Sequence, residues 1–338
     1  MSYTIPLNSG FLGSIPWANF DGVHYLRIAD SGYFGYGEAF FPLYPLLIRW
    51  VTGLTHLPLE MIAMGISVFG FIVGLSAMYQ LFEKLTSKKI ATWAVVFMIV
   101  FPTSFFFTAT YSEGIFFALS SLCLLFLHKK NYYAAGLCAG LASGTRIVGI
   151  FLLAPFFIMW LEEKTRDKKK IIAGAVIATL GLLSYMYYQY TRLGDPFIFI
   201  HVQPAFGTGR NVETLVLLPQ VFYRYTKMLL FAVGQPTWAS YFTTVLELVT
   251  TIVAGWGIYR LFKVKNLRIY AWYSGIILMI PTLTGTFTSL PRYVLGAFPL
   301  LLPLAGIKSD TVKICLAVSF LIFQGILTIM FLRGRFIG

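Results

Sequence analysis

MIAMGISVFGFIVGLSAMYQLFEKLTSKKIATWAVVFMIVFPTSFFFTATYSEGIFFAL, residues 61–119, decides the architecture. Its first run, 61–82, carries no charge, and neither does the second, 90–109. Each is about the length of 20 residues that a membrane helix needs. The short link between them bears Lys84, Lys88 and Lys89, so two crossings and a lysine-rich turn are read from one string. Working outward, comparable runs lie at 171–190, 241–262, 269–287 and 312–332. Shorter ones lie at 113–127, 132–145, 147–161 and 293–306, and these are expected as short, tilted or broken helices whose ends are surrounded by protein or a wet cavity. The total is about ten crossings. The expected fold is an all-α polytopic membrane protein.

Composition agrees. Of 338 residues, 58% are hydrophobic and only 12% charged, against about 25% charged in soluble domains; mean hydropathy is +0.76. The 32 Phe and 20 Tyr suit a bilayer with aromatic interfaces. Cys123, Cys138 and Cys315 all fall inside apolar stretches and read as small hydrophobes, with neither a disulfide nor a metal site. Two regions escape the apolar pattern, 1–60 and 191–240, both rich in Pro, Gly, Tyr, Trp and polar groups. The expected organisation is a catalytic outer loop with interfacial helices at 1–60, then a multi-helix transmembrane domain at 61–338 with a second outer loop at 191–240.

The net charge of +13 does not point to nucleic acid, because of where it lies. One set of loops carries mostly lysine, at 84–89, 129–130, 164–170, 263–265 and 308–313. Excess Lys and Arg mark the cytoplasmic side. The opposite side carries almost only arginine: Arg27, Arg49, Arg146, Arg192, Arg210, Arg224, Arg292, Arg333 and Arg335. A planar guanidinium suits phosphate or carboxylate. Asp21, Asp30, Glu38, Glu60, Glu113, Asp195 and Glu213 join them. An active face turned away from the cytoplasm follows. Cytosolic nucleotide sugars and nucleic acid lie on the wrong side.

This topology places 1–60 outside, although MSYTIPLNSGFLGSIPW holds no basic residue and no apolar core to start translocation. Either the tail crosses unaided or an upstream membrane helix precedes it; the helix is the expectation.

The densest polar cluster is WANFDGVHYLRIADSGYFGYGEAFFPLYPLLIR, residues 17–49. Asp21, His24 and Arg27 stand at i, i+3 and i+6, so a helix brings Asp21 and His24 to one face. GYFGYG reads as a loop with Glu38 directly after it, and FFPLYPLLIRW as an amphipathic helix in the interface. Asp21 and Asp30 could equally cap or charge-pair a surface helix. Three helix junctions carry further polar residues: Tyr111, Ser112 and Glu113; Thr145 and Arg146; Arg292 and Tyr293. Ionisable groups at membrane depth are costly, and three junctions aimed at one face with Asp21 make a shared site.

Four strings carry a resemblance: DGVHYLRIADSGY with AFFPLYPLL (21–33, 39–47), PTSFFFTATYSEGIFFAL (102–119), GLASGTRIVG (140–149) and SLPRYVLGAFPL (289–300). In this order they resemble the GPI mannosyltransferase 2 (PIG-V) family and its prokaryotic relatives among the GT-C membrane glycosyltransferases. The resemblance implies a multi-helix GT-C fold, an acidic residue of the first outer loop as catalytic base, and a polyprenyl-phosphate sugar donor, usually mannose. The chain departs from that pattern in lacking a leading membrane helix and in having Phe20, not Trp, before Asp21.

The expected chemistry is an inverting single displacement. Asp21 takes the acceptor's proton, and Arg146, Arg210 and Arg292 meet the charge on the leaving lipid phosphate. His24, Arg27, Glu38, Tyr111, Glu113 and Tyr293 would contact sugar or acceptor. No cofactor is required; Mg²⁺ between Asp21 and Glu38 is compatible but unnecessary for a monophosphate leaving group, and no zinc spacing exists. Expected partners are the donor lipid, a glycan or glycolipid acceptor and the bilayer. The expected location is a bacterial or archaeal cell membrane with the site outside, or a lumenal site if the cell is eukaryotic. Two rivals stand: a transporter or flippase of lipid-linked sugars, disfavoured because carriers bind near the midplane, and a non-catalytic membrane subunit.

Overall fold

A computed structural model describes residues 16–162, 167–206, 215–231 and 237–337. Every regular element among them is helical. Two short helices come first, α1 (Asp21–Ser31) and α2 (Leu43–Thr55), followed by α3 (Leu59–Leu85), α4 (Lys88–Val100), α5 (Glu113–His128) and α6 (Tyr132–Ser143). Next are α7 (Leu153–Glu162), α8 (Lys168–Leu193), the single turn α9 (Ile198–His201), α10 (Leu218–Phe231) and α11 (Trp238–Phe262). The last are α12 (Arg268–Thr282), α13 (Leu290–Gly296), α14 (Leu301–Ala305) and α15 (Asp310–Leu332).

Four of these, α3, α8, α11 and α15, are long and apolar enough to cross a membrane. Their outward faces are apolar and uncovered: only 17% of the most apolar stretch of α15 is buried, and Val318, Ile322, Ile326 and Ile329 stand exposed. Such a surface needs hydrocarbon around it.

Two of the six long runs are shorter as helices than expected. The run 90–109 stops at Val100, because Phe101 precedes Pro102 and is pushed to extended backbone; a 3₁₀ turn follows at Ser104–Phe107. The run 269–287 ends at Thr282, one residue after Pro281. The short run 293–306 breaks into α13, a 3₁₀ turn and α14 around Pro299. All three breaks fall where proline removes a backbone donor.

Because successive helices reverse, the lysine-bearing turns gather at one end, where Lys89 bonds Asp310 at 2.7 Å. The starts of α3, α5 and α13 and the ends of α6, α8 and α15 gather at the other, which we call the site end. Helices α1 and α2 lie there with the start of α3 and share a small core of Tyr25, Leu26, Tyr44, Ile48 and Ala63. Helix α2 is amphipathic as expected: Tyr44 and Ile48 are buried while Leu46, Trp50 and Leu54 form an exposed apolar stripe. That stripe is suited to the interface.

Close crossings fix the bundle. A Cβ on Gly114 would lie 2.0 Å from the Ser67 carbonyl oxygen, so α5 meets α3 backbone to backbone. Gly181 meets Gly140 in the same way across α8 and α6. Small residues are what permit such contact in membranes. The first crossing also fixes the position of Glu113, which adjoins Gly114.

Candidate active site

Asp21 is the first residue of α1, and the preceding Phe20 has φ 56°. Positive φ is uncommon for a bulky residue. Phe20 is held there by Phe336 in edge contact at 5.3 Å and by Phe331 at 6.1 Å, while Asn19 Nδ2 donates to the Phe331 carbonyl at 2.7 Å. The chain thus turns abruptly and delivers Asp21 into the bundle mouth.

Arg292 arrives from the other direction. Ser289 ahead of α13 is also left-handed, with φ 69°. Thr103 Oγ1 donates to the Pro291 carbonyl at 2.8 Å and clamps this turn to the start of the 102–112 segment. A second clamp is a Tyr–Glu pair. The Tyr225 hydroxyl donates to Glu247 Oε2 at 2.5 Å and accepts from the Phe287 amide at 3.0 Å. Glu247 is buried within α11, so sequence reading had no local sign of its partner.

The two arms meet. Arg292 Nη1 donates to Asp21 Oδ2 at 2.6 Å, and Arg292 Nε lies 3.3 Å from Glu113 Oε1. Arg146 Nη1 bonds that same Glu113 oxygen. Two carboxylates and two guanidiniums therefore form one neutral chain, Asp21–Arg292–Glu113–Arg146. Aromatic rings seal it: Arg292 lies over Phe106 and Tyr111 at 5.6 Å each, and Arg146 over Tyr293 at 5.6 Å.

Exposure separates the two acids. The Glu113 side chain is 4% exposed and Arg292 8%, whereas Asp21 keeps 26%. The space beside Glu113, Arg146, Arg292 and Tyr293 is a cavity of about 10 Å³, room for one water and not for a sugar. Of the two acids, only Asp21 keeps an accessible face. Burial alone would raise its carboxyl, but the Arg292 charge and hydrogen bond outweigh this, with help from His24 and Arg146, and hold it below the ordinary value of 3.8. The site keeps this carboxylate ionised.

The remaining expected residues sort by distance from this chain. Tyr111 is buried with its hydroxyl donating to the Asn19 carbonyl at 2.8 Å, so it braces the turn before Asp21. His24 stacks on Phe40 at 4.7 Å and meets Phe206 edge-on at 5.8 Å. Burial pulls its pKa below 6.5, Arg27 adding to this against the attraction of Asp21. Arg27 is exposed and covers the Phe34 ring at 4.9 Å, outside the ion chain. Glu38 is buried, with Tyr185 donating to its carbonyl at 2.8 Å, and it has no bond to the ion chain among the described residues. Arg210 lies outside the described residues. Among the described residues no group of three His, Cys, Asp or Glu could hold a metal ion.

Buried hydroxyls carry the scaffold outward. Tyr25 lies 2.9 Å from Ser112 Oγ, and Ser67 Oγ donates to the Tyr111 carbonyl at 2.6 Å while touching the Tyr44 hydroxyl at 2.9 Å. Helices α1, α2 and α3 are thereby tied to Tyr111 and Ser112, the two residues before Glu113. These contacts join tyrosines and serines far apart in the chain, and no spacing announces them.

Comparisons with known proteins agree with the fold. No family model matches the chain. It is 28% identical over 199 residues to GPI mannosyltransferase 2 of Drosophila pseudoobscura pseudoobscura, covering 52% of this chain and 44% of that protein. It is 32% identical over 199 residues to GPI mannosyltransferase 2 of Drosophila melanogaster, with the same coverage. GPI alpha-1,6-mannosyltransferase 2 of Cricetulus griseus is 26% identical over 56% of this chain and 43% of its own length. The chain thus spans less than half the length of these relatives. Among solved structures it superposes on ArnT from Cupriavidus metallidurans bound to undecaprenyl phosphate, with a TM-score of 0.52 at 14% identity, over 94% of this chain and 67% of that one. The Archaeoglobus fulgidus oligosaccharyltransferase gives a TM-score of 0.52 at 13% identity, over 96% of this chain and 49% of that one. The chain resembles GPI mannosyltransferase 2 proteins in sequence, and its fold is of the GT-C type.

Proposed function

We propose that the chain is a membrane glycosyltransferase that moves a sugar, mannose by analogy with the names of its relatives, from a polyprenyl-phosphate donor to a hydroxyl of a glycan or glycolipid. The observation that carries this reading is the half-buried, ionised Asp21 carboxylate, held by Arg292 yet keeping an accessible face. An attacking hydroxyl needs a base at hydrogen-bond reach, and this is the one carboxylate of the ion chain that a hydroxyl can approach. In the step, the acceptor O–H gives its proton to Asp21 and the oxygen bonds the anomeric carbon. The carbon–oxygen bond to phosphate breaks, and its electron pair leaves on the lipid phosphate. One displacement inverts the anomeric centre. Glu113 has a different part: buried between Arg146 and Arg292, it keeps both guanidiniums in place. Pre-set dipoles and charges of this kind need no reorganisation during reaction.

The site end is read as facing away from the cytoplasm, because lysine concentrates at the other end. The test is a transfer assay with purified protein in liposomes, polyprenyl-phosphate mannose as donor and extracted glycolipid as acceptor. Donor-dependent mannosylation that Asp21→Asn abolishes supports the reading. Movement of uncleaved donor across the bilayer, equal in both proteins, would establish a flippase instead.

A further inference from the structure

The proposed reaction releases a lipid phosphate, and the ion chain is ill suited to hold it. Its two acids and two bases cancel, and Arg146 and Arg292, two of the three arginines expected to meet the phosphate, are already bonded to carboxylates, while the third, Arg210, lies outside the described residues. A phosphate needs positive charge that is not yet matched.

Such charge lies close by. Arg333 and Arg335 follow α15, are exposed, and have no carboxylate partner among the described residues. The segment that bears them folds back: the Arg335 amide donates to the Met330 carbonyl at 2.9 Å. Phe336, the next residue, packs edge-on against Phe20 at 5.3 Å, and Phe20 adjoins Asp21. The two arginines are therefore fastened to the very turn that presents the base.

They also stand at the head of a groove. Between α15 and the start of α11 is a groove of about 520 Å³ lined, among the described residues, by Trp238, Ile326, Ile329, Met330, Arg333 and Arg335. Ile326, Ile329, Met330 and Arg333 are spaced i, i+3, i+4 and i+7, one face of a helix, and span about 10 Å along it. One part of the groove is apolar, with Ile326 and Ile329 exposed where hydrocarbon would surround α15. The other part is doubly cationic, and Trp238 stands at its rim, the position tryptophan favours at a membrane interface.

We infer that this groove lodges the first part of the donor's isoprenoid chain, with Arg333 and Arg335 binding its phosphate. The inference rests on the glycosyl-transfer reading and adds where the donor enters: sideways from the bilayer, between α11 and α15, reaching Asp21 past Phe20. Charge complementarity selects the occupant. An uncharged lipid would leave both arginines without use, and free phosphate would leave the apolar wall without use.

The test uses the full-length protein in nanodiscs and a diazirine-bearing undecaprenyl monophosphate, the unreactive leaving group. Photolysis should label α15 between Ile326 and Arg333, and excess unlabelled undecaprenyl monophosphate should compete where phosphatidylglycerol and inorganic phosphate do not. Arg333→Gln with Arg335→Gln should weaken binding about tenfold or more, as expected for losing charge-assisted bonds to phosphate. Ile329→Trp, which fills the groove without touching charge, should do likewise. Labelling confined to other helices, unchanged binding in both variants, or equal competition by phosphatidylglycerol would overturn the inference. The two readings fail separately. Mannosyl transfer that persists unchanged in the groove variants removes the groove alone, whereas groove labelling without transfer from any donor removes the enzyme reading alone.

Discussion

Arg292 and Asp21 are 271 residues apart in the chain and 2.6 Å apart in space. Neither would stand where it does unaided. Each follows a residue of positive φ, Phe20 or Ser289, and backbone strain of this kind persists only where packing over-determines it. At Phe20 the packing is aromatic; at Ser289 it is the Thr103 and Tyr225 clamps. The candidate site is held from both sides.

Replacing Asp21 by Asn keeps the hydrogen bond acceptor for Arg292 but removes the proton acceptor. Turnover should fall about 10²- to 10⁴-fold, the usual contribution of a general base, with little change in donor binding. Initial rates under saturating donor measure this. Near-normal turnover in a folded variant would move the base elsewhere, with Glu38 next to test.

Arg292→Ala acts on stability as well as rate. It leaves Asp21 and the buried Glu113 facing each other without the guanidinium between them, and breaking a buried pair this way costs about 3–5 kcal/mol. Arg292→Lys cannot bridge two carboxylates with one ammonium and should recover only part of the loss. Thermal unfolding in detergent, read beside activity, distinguishes the three proteins.

The acid side of the rate profile should be flat. The Asp21 pKa is lowered in the folded protein, so the carboxylate stays ionised, and its contribution to stability, present above 3.8, is lost only as pH falls through the lowered folded value. His24, lowered from 6.5, gains its charge only below that value. Rates between roughly pH 5 and 8 should therefore not rise with the titration of Asp21. A sigmoidal rise near neutrality that Asp21→Asn removes would contradict the assignment.

Gly114→Ala tests the crossing beneath the site. Its Cβ would meet the Ser67 carbonyl at 2.0 Å, so α5 must move away from α3 and carry Glu113 with it. The expected destabilisation is about 1–3 kcal/mol, as for overpacked cores, with transfer falling more than thermal stability alone explains. Melting curves and rates on the same preparation check it.

Orientation can be settled by labelling. Tyr36 is exposed at the site end and Lys169 lies in the first turn of α8 at the other. A cysteine at 36 should react with an impermeant maleimide in intact cells, and one at 169 only after permeabilisation.

The membrane architecture was legible because apolar runs of spanning length have few other readings, and the members of the ion chain because charge is rare in such a sequence. Asp21, Glu113, Arg146 and Arg292 stood out individually as costly residues at helix junctions. Their pairing did not, since no spacing encodes contact across 271 residues. Arg27 falls away from the site because i+6 lies about 240° round a helix from Asp21. Broken spans were misjudged in length where hydropathy continues through Pro102 or Pro281 while the helix cannot. The braces from Phe20, Phe331 and Phe336 were invisible because phenylalanine is everywhere in this chain and carries no positional signal.

The separation of Asp21 from Arg292 also sets an order of events during biogenesis. Glu113 and Arg146 are 33 residues apart and can pair as soon as α5 and α6 are inserted. At about 5–20 residues per second, Asp21 waits tens of seconds longer for its guanidinium to be synthesised. Throughout that interval the nascent protein exposes an unmatched carboxylate beside the bilayer.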